Sequence, residues 1–356
     1  MTTLTLAQPR PQIAPPPVPW HRMVWVTWRQ HRSTMITIPA VLGALGIFLW
    51  IMGLRIHHDW STLIACHPFQ STACQALNSS FNSTDWSIGN TLNILMNLGP
   101  ALLGAFAGGP LLARELETGT FRYAWTQGIG RSRWTAAKLV LIGVLVAGMA
   151  AAFSALFSWF FQPFLVQQPF LTPLAGAVFG NRPVTYAAWT LAAFTIGACA
   201  GMLIRRIVPA ILVTLGIYTG LQLLARLVLF KSYPVSLVTS NSVIANGPNV
   251  INGSASAASE TANIPLALST WYTGKGGAPA NMNTVNQVLA LFPHNGPPKT
   301  KLSVQQALAQ HGITEWWRYI PVSRFWPMQF IEGGWVLVLA ILIGIATVWL
   351  VRHRAA

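Results

Sequence analysis

The sequence predicts an all-α polytopic membrane protein with six transmembrane helices, an N-terminal interfacial helix, a cytoplasmic coupling helix and a large external loop before the last span. Three observations carry this. Only 8% of the residues are charged, against about a quarter in an average soluble domain. Apolar residues make up 53% and mean hydropathy is +0.49. Six apolar runs cover residues 35–54, 91–113, 139–161, 185–204, 207–229 and 333–351, each close to the ~20 residues that cross a hydrocarbon core. A soluble chain of 356 residues cannot cover its surface with so few charges, and the bilayer removes that requirement.

Ahead of the first run, residues 1–18 form a Pro-rich stretch expected to be disordered. They lack the apolar core and cleavage site of a signal peptide. Residues 19–34 read as an interfacial helix. Trp20, Met23, Val24, Thr27 and Trp28 share one face while Arg22 and Arg29 point the other way, which suits the headgroup layer. Spans one to five then occupy 35–229. The fourth and fifth are divided only by Arg205-Arg206, so they read as a tight helical hairpin. Residues 230–332 form the external loop, and 333–356 the sixth span and tail. Within that loop, 236–285 is rich in Ser, Asn, Ala and Gly and reads as irregular. Ser303 can cap a short helix ending at Gly312, and the aromatics of 316–319 and 325–326 are expected at the outer interface.

Orientation follows from the basic residues. Thirteen fall on the side of the two termini, from Arg10 through Arg133, Lys138, Arg205 and Arg206 to Arg354, and eight on the opposite loops. The excess places both termini in the cytoplasm and loops 55–90, 162–184 and 230–332 outside. The net charge of +15 is thereby assigned to topology and anionic lipid. Nucleic acid is excluded as a partner, since the basic residues form no tract or recognised binding motif.

The seven acidic residues all fall outside the middle of a span. An acid relay of the proton-pump type is therefore not expected, nor is the paired carboxylate of an intramembrane aspartyl protease. HExxH, GxSxG and the phosphate-cradling GxxxxGK[ST] loop are absent. The chain is not expected to be an enzyme, to bind a cofactor or to hold a metal. His57, His58, Asp59 and His67 lack a specific ligand spacing and read as a solvated loop. Cys66 and Cys74 share one polar loop and can form a disulfide if that loop faces an oxidising side, while Cys199 reads as a packing residue.

The spans carry two polar stripes. Asn90, Asn93 and Asn97 repeat at helical spacing in the second span; Thr214, Tyr218, Gln222 and Arg226 follow at four-residue steps in the fifth. Such groups are costly in hydrocarbon unless paired or wetted. They read either as interhelical hydrogen bonds or as the lining of a substrate path, for which Asn90, Asn93, Asn97, Thr214, Tyr218 and Gln222 are the candidates. Gly104-x-x-x-Gly108 and Gly197-x-x-x-Gly201 suit close helix approach.

After the second span the chain reads Glu115-Leu116-Glu117-Thr118-Gly119-Thr120, continues through Arg122 to Arg131 and Arg133, and reaches Lys138. Gly119 breaks the preceding helix, Thr120 can cap a new one, and Gly128 ends it. A short charged helix over about 120–127, lying along the membrane surface, is the expected product.

This segment resembles the permeases of the ABC-2 type exporter family, which carry Glu-x-Gly-Thr, an apolar stretch, a Pro-x-Ser-Arg step and a Lys opening the third span. Here Glu117-Thr118-Gly119-Thr120 matches the first element. Arg131 lies twelve residues after Gly119 and Lys138 seven further on, at the family spacings. Gly128 and Gly130 replace the proline and serine of the step. The resemblance implies a dimer, most simply a homodimer, in the bacterial inner membrane, driven by two separate nucleotide-binding subunits that carry ATP and Mg. Glu115, Glu117, Gly119, Thr120, Arg122, Arg131, Arg133 and Lys138 would couple permease to ATPase, and spans two and five would line the path of an amphiphilic or hydrophobic substrate. The alternative is a membrane sensor whose external loop binds a ligand without transport.

Overall fold

The computed structural model describes residues 20–68, 71–119, 130–167, 171–229, 238–240, 266–291 and 304–354. Six of its helices are long and apolar enough to cross a membrane. The first, α1, runs from Trp20 to Ala65. A short α2 (Thr72–Ser80), one π-helical turn (Phe81–Asp85) and α3 (Trp86–Thr118) together make the second. The third is α4 (Arg131–Phe160). Two short helices, α5 (Gln162–Gln167) and α6 (Gly176–Phe179), lead to α7 (Pro183–Ile204) and α8 (Ile207–Leu224), the fourth and fifth.

Helix α7 is the axis of the bundle, packing on α3, α4 and α8. About 72% of its span is buried, against 17% for the first and fifth. Its sequence explains this, because Ala188, Ala192, Ala193, Gly197, Ala198, Ala200 and Gly201 are spread around the helix. Small residues on every face let neighbouring backbones approach, which is the main source of helix association where lipid is as apolar as leucine. The turn into α8 is as tight as expected: Arg205 takes a left-handed conformation (φ 58°) and Arg206 caps the next helix.

Helix α1 sits at the edge and shows the opposite pattern. Its buried residues Met35, Leu42, Leu49, Ile56 and Leu63 recur every seven positions, a single narrow stripe. The stripe meets Leu139, Ile142, Val146, Ala150, Phe157 and Phe160 of α4. Seven-residue spacing on α1 against steps of three, four and seven residues on α4 is the pattern of left-handed, knobs-into-holes packing. Higher up, Gly53 leaves room for the Trp159 ring, which stacks on Trp50 and His57.

Three expectations change. Residues 19–34 do not form a separate helix; α1 is continuous from Trp20 into the first span, since residues 20–38 contain neither Gly nor Pro to break it. Residues 55–90 are not a loop but a helical hairpin, with α1 reaching Ala65 and returning through α2. Cys66 and Cys74 are joined by a disulfide at its tip, and Arg55 lies 3.7 Å from the buried carboxylate of Asp85. His57, read as solvated, hydrogen-bonds the Trp159 carbonyl at 3.0 Å.

The third concerns the region before the last span. A small antiparallel sheet forms there from β1 (Val238–Ser240), β2 (Leu266–Thr273) and β3 (Thr314–Ile320), in the order β1-β3-β2. So 236–285 is not wholly irregular, and Trp316-Trp317-Arg318-Tyr319 is the central strand. The run 266–273 is rich in β-branched and aromatic residues that favour a pleated surface. Helices α9 (Met282–Leu289) and α10 (Val304–Gln310) cover a small core of Val285, Val288, Ala307, Leu308 and Ile313. Gly312, at φ +67°, ends α10 where anticipated; Ser303 lies outside the described residues. Ile320 and Leu266 join this unit to the bundle through Leu174, Phe179 and Met328. The last helix, α11, then runs from Phe325 to Arg354.

Candidate functional site

Three neighbouring features bear on function. The first is the seam between α3 and α7. A side chain at Gly104 would collide with Ala193, and one at Gly108 with the Phe194 carbonyl. From the other helix, a Cβ on Gly197 would lie 2.8 Å from the Gly109 nitrogen, and one on Gly201 2.5 Å from the Gly109 carbonyl oxygen. The two small-xxx-small motifs therefore face each other, and the second span is held backbone to backbone against the fourth.

The second feature is polar and lies in the half of the bundle away from the termini. Asn93 is buried, and the Asn181 amide donates to its side-chain oxygen at 2.8 Å and also to its carbonyl. One turn on, Asn97 donates to the Asn93 carbonyl and accepts from the Arg226 guanidinium at 2.7 Å. Arg226 lies in a π-helical turn that continues α8, so this bond joins the second and fifth spans. Gln222 donates to the Tyr218 hydroxyl at 3.0 Å. Tyr218 stands edge-on to Trp189, whose indole N–H donates to Glu332 of α11 at 2.9 Å. Thr214 is fully buried and donates to the Ala210 carbonyl of its own helix. Asn90 is exposed.

The stripes read from the sequence thus divide. Asn93, Asn97 and Arg226 form one hydrogen-bonded chain from the second span to the fifth, Gln222 and Tyr218 bond to each other within α8, and Thr214 is absorbed by its own helix. Asn181, Gln329 and the Trp189–Glu332 pair escaped sequence reading. Gln329 is buried, accepts from the Thr185 hydroxyl at 3.2 Å and donates to the Phe179 carbonyl at 2.9 Å. Polar residues at span ends look like interfacial residues in a sequence, and only packing tells the two apart. Nearby, burial pushes the Arg182 guanidinium down to about 10, with its plane beside the Phe325 ring.

The third feature is at the opposite end. Lys138 of α4 is completely buried and pairs with Glu115 of α3. Its ammonium also lies 3.7 Å from the centre of the Trp134 ring, a favourable cation–π position. Glu117 is exposed and Arg133 half-buried. Gly119 ends α3 in a left-handed conformation (φ +70°), which a glycine adopts without strain. Arg131 opens α4. Thr120, Arg122 and the expected coupling helix 120–127 lie outside the described residues.

Among the described residues, no three His, Cys, Asp or Glu side chains gather as a metal site. The model of the family described as ABC-2 membrane transporter related matches residues 39–229, more than half of the 356-residue chain. The chain belongs to this family. No curated protein and no solved structure matches it. As an ABC-2 related protein it is a membrane permease subunit. The matched region takes in the first five spans, including the glycine seam, the Asn97–Arg226 bond and the Lys138–Glu115 pair. The β-sheet unit and α11 lie beyond the match.

Proposed function

We propose that this ABC-2 related permease is the membrane subunit of an ATP-driven exporter of amphiphilic or hydrophobic substrate. It resides in the bacterial inner membrane with both termini cytoplasmic and works as a homodimer with a separate nucleotide-binding subunit, which carries ATP and Mg. The observation that carries this reading is the Lys138–Glu115 pair. It clamps the end of α3 to the start of α4, the two helices that residues 120–129 join along the chain, and there the partner is proposed to press.

In this reading the ATPase dimer closes on ATP and pushes segment 120–127. A hinge free at both ends would absorb the push. A buried ion pair tying its two stems together passes the push to α3 and α4 as a unit, because breaking such a pair leaves an uncompensated charge. Helix α1 follows through its seven-residue stripe on α4. Glu117, Arg131 and Arg133 supply charge for the partner. Movement of α3 relative to α8 opens the polar face of Asn97, Gln222 and Arg226 to substrate.

The test is charge reversal. Glu117→Arg and Arg131→Glu should each weaken assembly with the nucleotide-binding subunit, and so lower ATP-dependent transport in vesicles, while the permease still folds. Normal transport in the double variant overturns the coupling role. The folded unit around β3 supports a second reading, a sensor that binds a ligand without transport. Ligand binding by the full chain, with no nucleotide-binding subunit recovered, would favour it.

A further inference from the structure

On the lipid-facing side, away from the α3–α8 polar face, α4, α7 and α11 enclose a crevice of about 860 Å³. That volume falls within the ~300–1,000 Å³ typical of small-molecule sites. Its walls are Val144, Ile341 and Ile345, and it passes beside Gly148 and Gly344. The rims are strongly exposed, Val144 at 68% and Ile345 at 61%. The lining is apolar but for Thr195, whose hydroxyl donates to the Ala192 carbonyl of its own helix, and turns polar at Ser132 and Arg352, on the side of the termini, next to Trp349. A groove of this form, apolar and open to hydrocarbon along its length and basic at its interfacial mouth, matches one kind of molecule.

We propose that the crevice is a binding site for an anionic phospholipid of the leaflet on the side of the termini, its acyl chain along α4 and α11 and its phosphate at Arg352. Charge complementarity selects this occupant over a second copy of the chain. Arg352 pairs with no carboxylate among the described residues. A second copy has little to offer it, since the chain holds seven acidic residues against 22 Lys and Arg; on the side of the termini Glu115 is already paired with Lys138, and the exposed Glu117 borders the segment proposed for the nucleotide-binding subunit. A lipid phosphate supplies the opposite charge where the apolar run of α11 ends, and Trp349 sits at the level where amphipathic rings favour the headgroup layer. The glycines are the second element. A Cβ on Gly148 would meet nothing within 4 Å, and one on Gly344 only Thr195 at 3.9 Å. Their lack of side chains leaves volume open to lipid and is not demanded by a neighbouring helix.

The test is native mass spectrometry of the full-length permease in mild detergent, titrated with phosphatidylglycerol or phosphatidylcholine. The wild type should retain phosphatidylglycerol preferentially. Arg352→Gln should reduce that preference about fivefold, the effect of one basic residue at an anionic surface, with phosphatidylcholine binding unchanged. The Gly148→Leu/Gly344→Leu variant, which fills the crevice, should lose tightly held lipid of both kinds while keeping the wild-type unfolding temperature. Unchanged phosphatidylglycerol retention in both variants overturns the site. A filled variant that keeps its lipid but changes from dimer to monomer overturns it in favour of a second copy. Should the filled variant fail to fold, Arg352→Gln alone decides, because that side chain is exposed and its loss leaves packing intact.

Discussion

Lys138 and Glu115 meet inside the protein, the lysine completely buried beneath the Trp134 ring, although 22 residues separate them along the chain. A lone buried cation is costly, so the pair holds the two helix stems at one separation. Lys138→Met should destabilise the permease by about 3–5 kcal/mol by stranding Glu115. Lys138→Met with Glu115→Gln should regain most of that loss, since no ionised group is left alone. Thermal unfolding in detergent distinguishes them. If the fold recovers while transport does not, the pair serves coupling as well as stability.

The α3–α7 seam makes a sharper contrast. Gly108→Val drives a side chain into the Phe194 backbone and should cost ~3 kcal/mol or more, at the upper end of overpacking effects. Gly216 and Gly220 on α8 have open space around them. Gly216→Ala and Gly220→Ala should be neutral or stabilise by up to about 1 kcal/mol through helix propensity. Expression level and melting temperature of the three variants check this.

The polar stripes of α3 and α8 should separate into two phenotypes. Asn93→Leu removes the nearer of the two acceptors of the buried Asn181 amide and should lower stability by about 1–3 kcal/mol. Asn97→Leu removes the acceptor of Arg226 from the fifth span, and Gln222→Leu removes the donor to Tyr218 within it. They should leave folding near wild type and reduce substrate-stimulated transport. Equal loss of stability in all three would mean that both stripes serve packing.

The hairpin tip carries the Cys66–Cys74 disulfide across a separation of eight residues. Closing so short a loop is worth about 2–3 kcal/mol to the oxidised chain. Cys66→Ser/Cys74→Ser should therefore unfold locally at α2, read as faster amide exchange over 60–80, with the bundle seam unchanged.

Tyr272 of β2 donates its hydroxyl to Glu315 at 2.9 Å. Burial, reinforced by that carboxylate, pushes its hydroxyl up to about 12. The folded unit thus keeps a proton that the unfolded chain releases near pH 10. Its contribution is complete below about pH 10 and is lost as pH rises toward 12. Near-ultraviolet circular dichroism should show the sheet unit weakening over that interval in the wild type and less steeply in Tyr272→Phe.

Much of this was legible in the residues. Six apolar runs gave six crossings, Arg205-Arg206 marked the tight turn, and the two glycine motifs pointed to a close seam. The legible features are local: length, period and composition act within one element. What escaped depends on which elements meet. The helical hairpin over 55–90 is polar enough to resemble a loop, yet Phe81 and Asp85 are buried in it. Strand β2 lies in a region whose average composition is loop-like, and only pairing with β3 stabilises it. Asn181 looks like a turn residue until the fold carries it 88 positions back to Asn93. The crevice beside Gly148 and Gly344 has no sequence signature, because a glycine facing open space looks the same as a glycine facing another helix.

The central claim is that a separate nucleotide-binding subunit drives this permease through the segment between Glu117 and Arg131. The direct measurement is gentle purification of the full-length chain from its native membrane, with mass spectrometry of what accompanies it, beside a Glu117→Arg variant. The account predicts a nucleotide-binding subunit with the wild type and its loss from the variant at unchanged permease yield. A wild-type permease recovered without any such subunit under several mild conditions would contradict it.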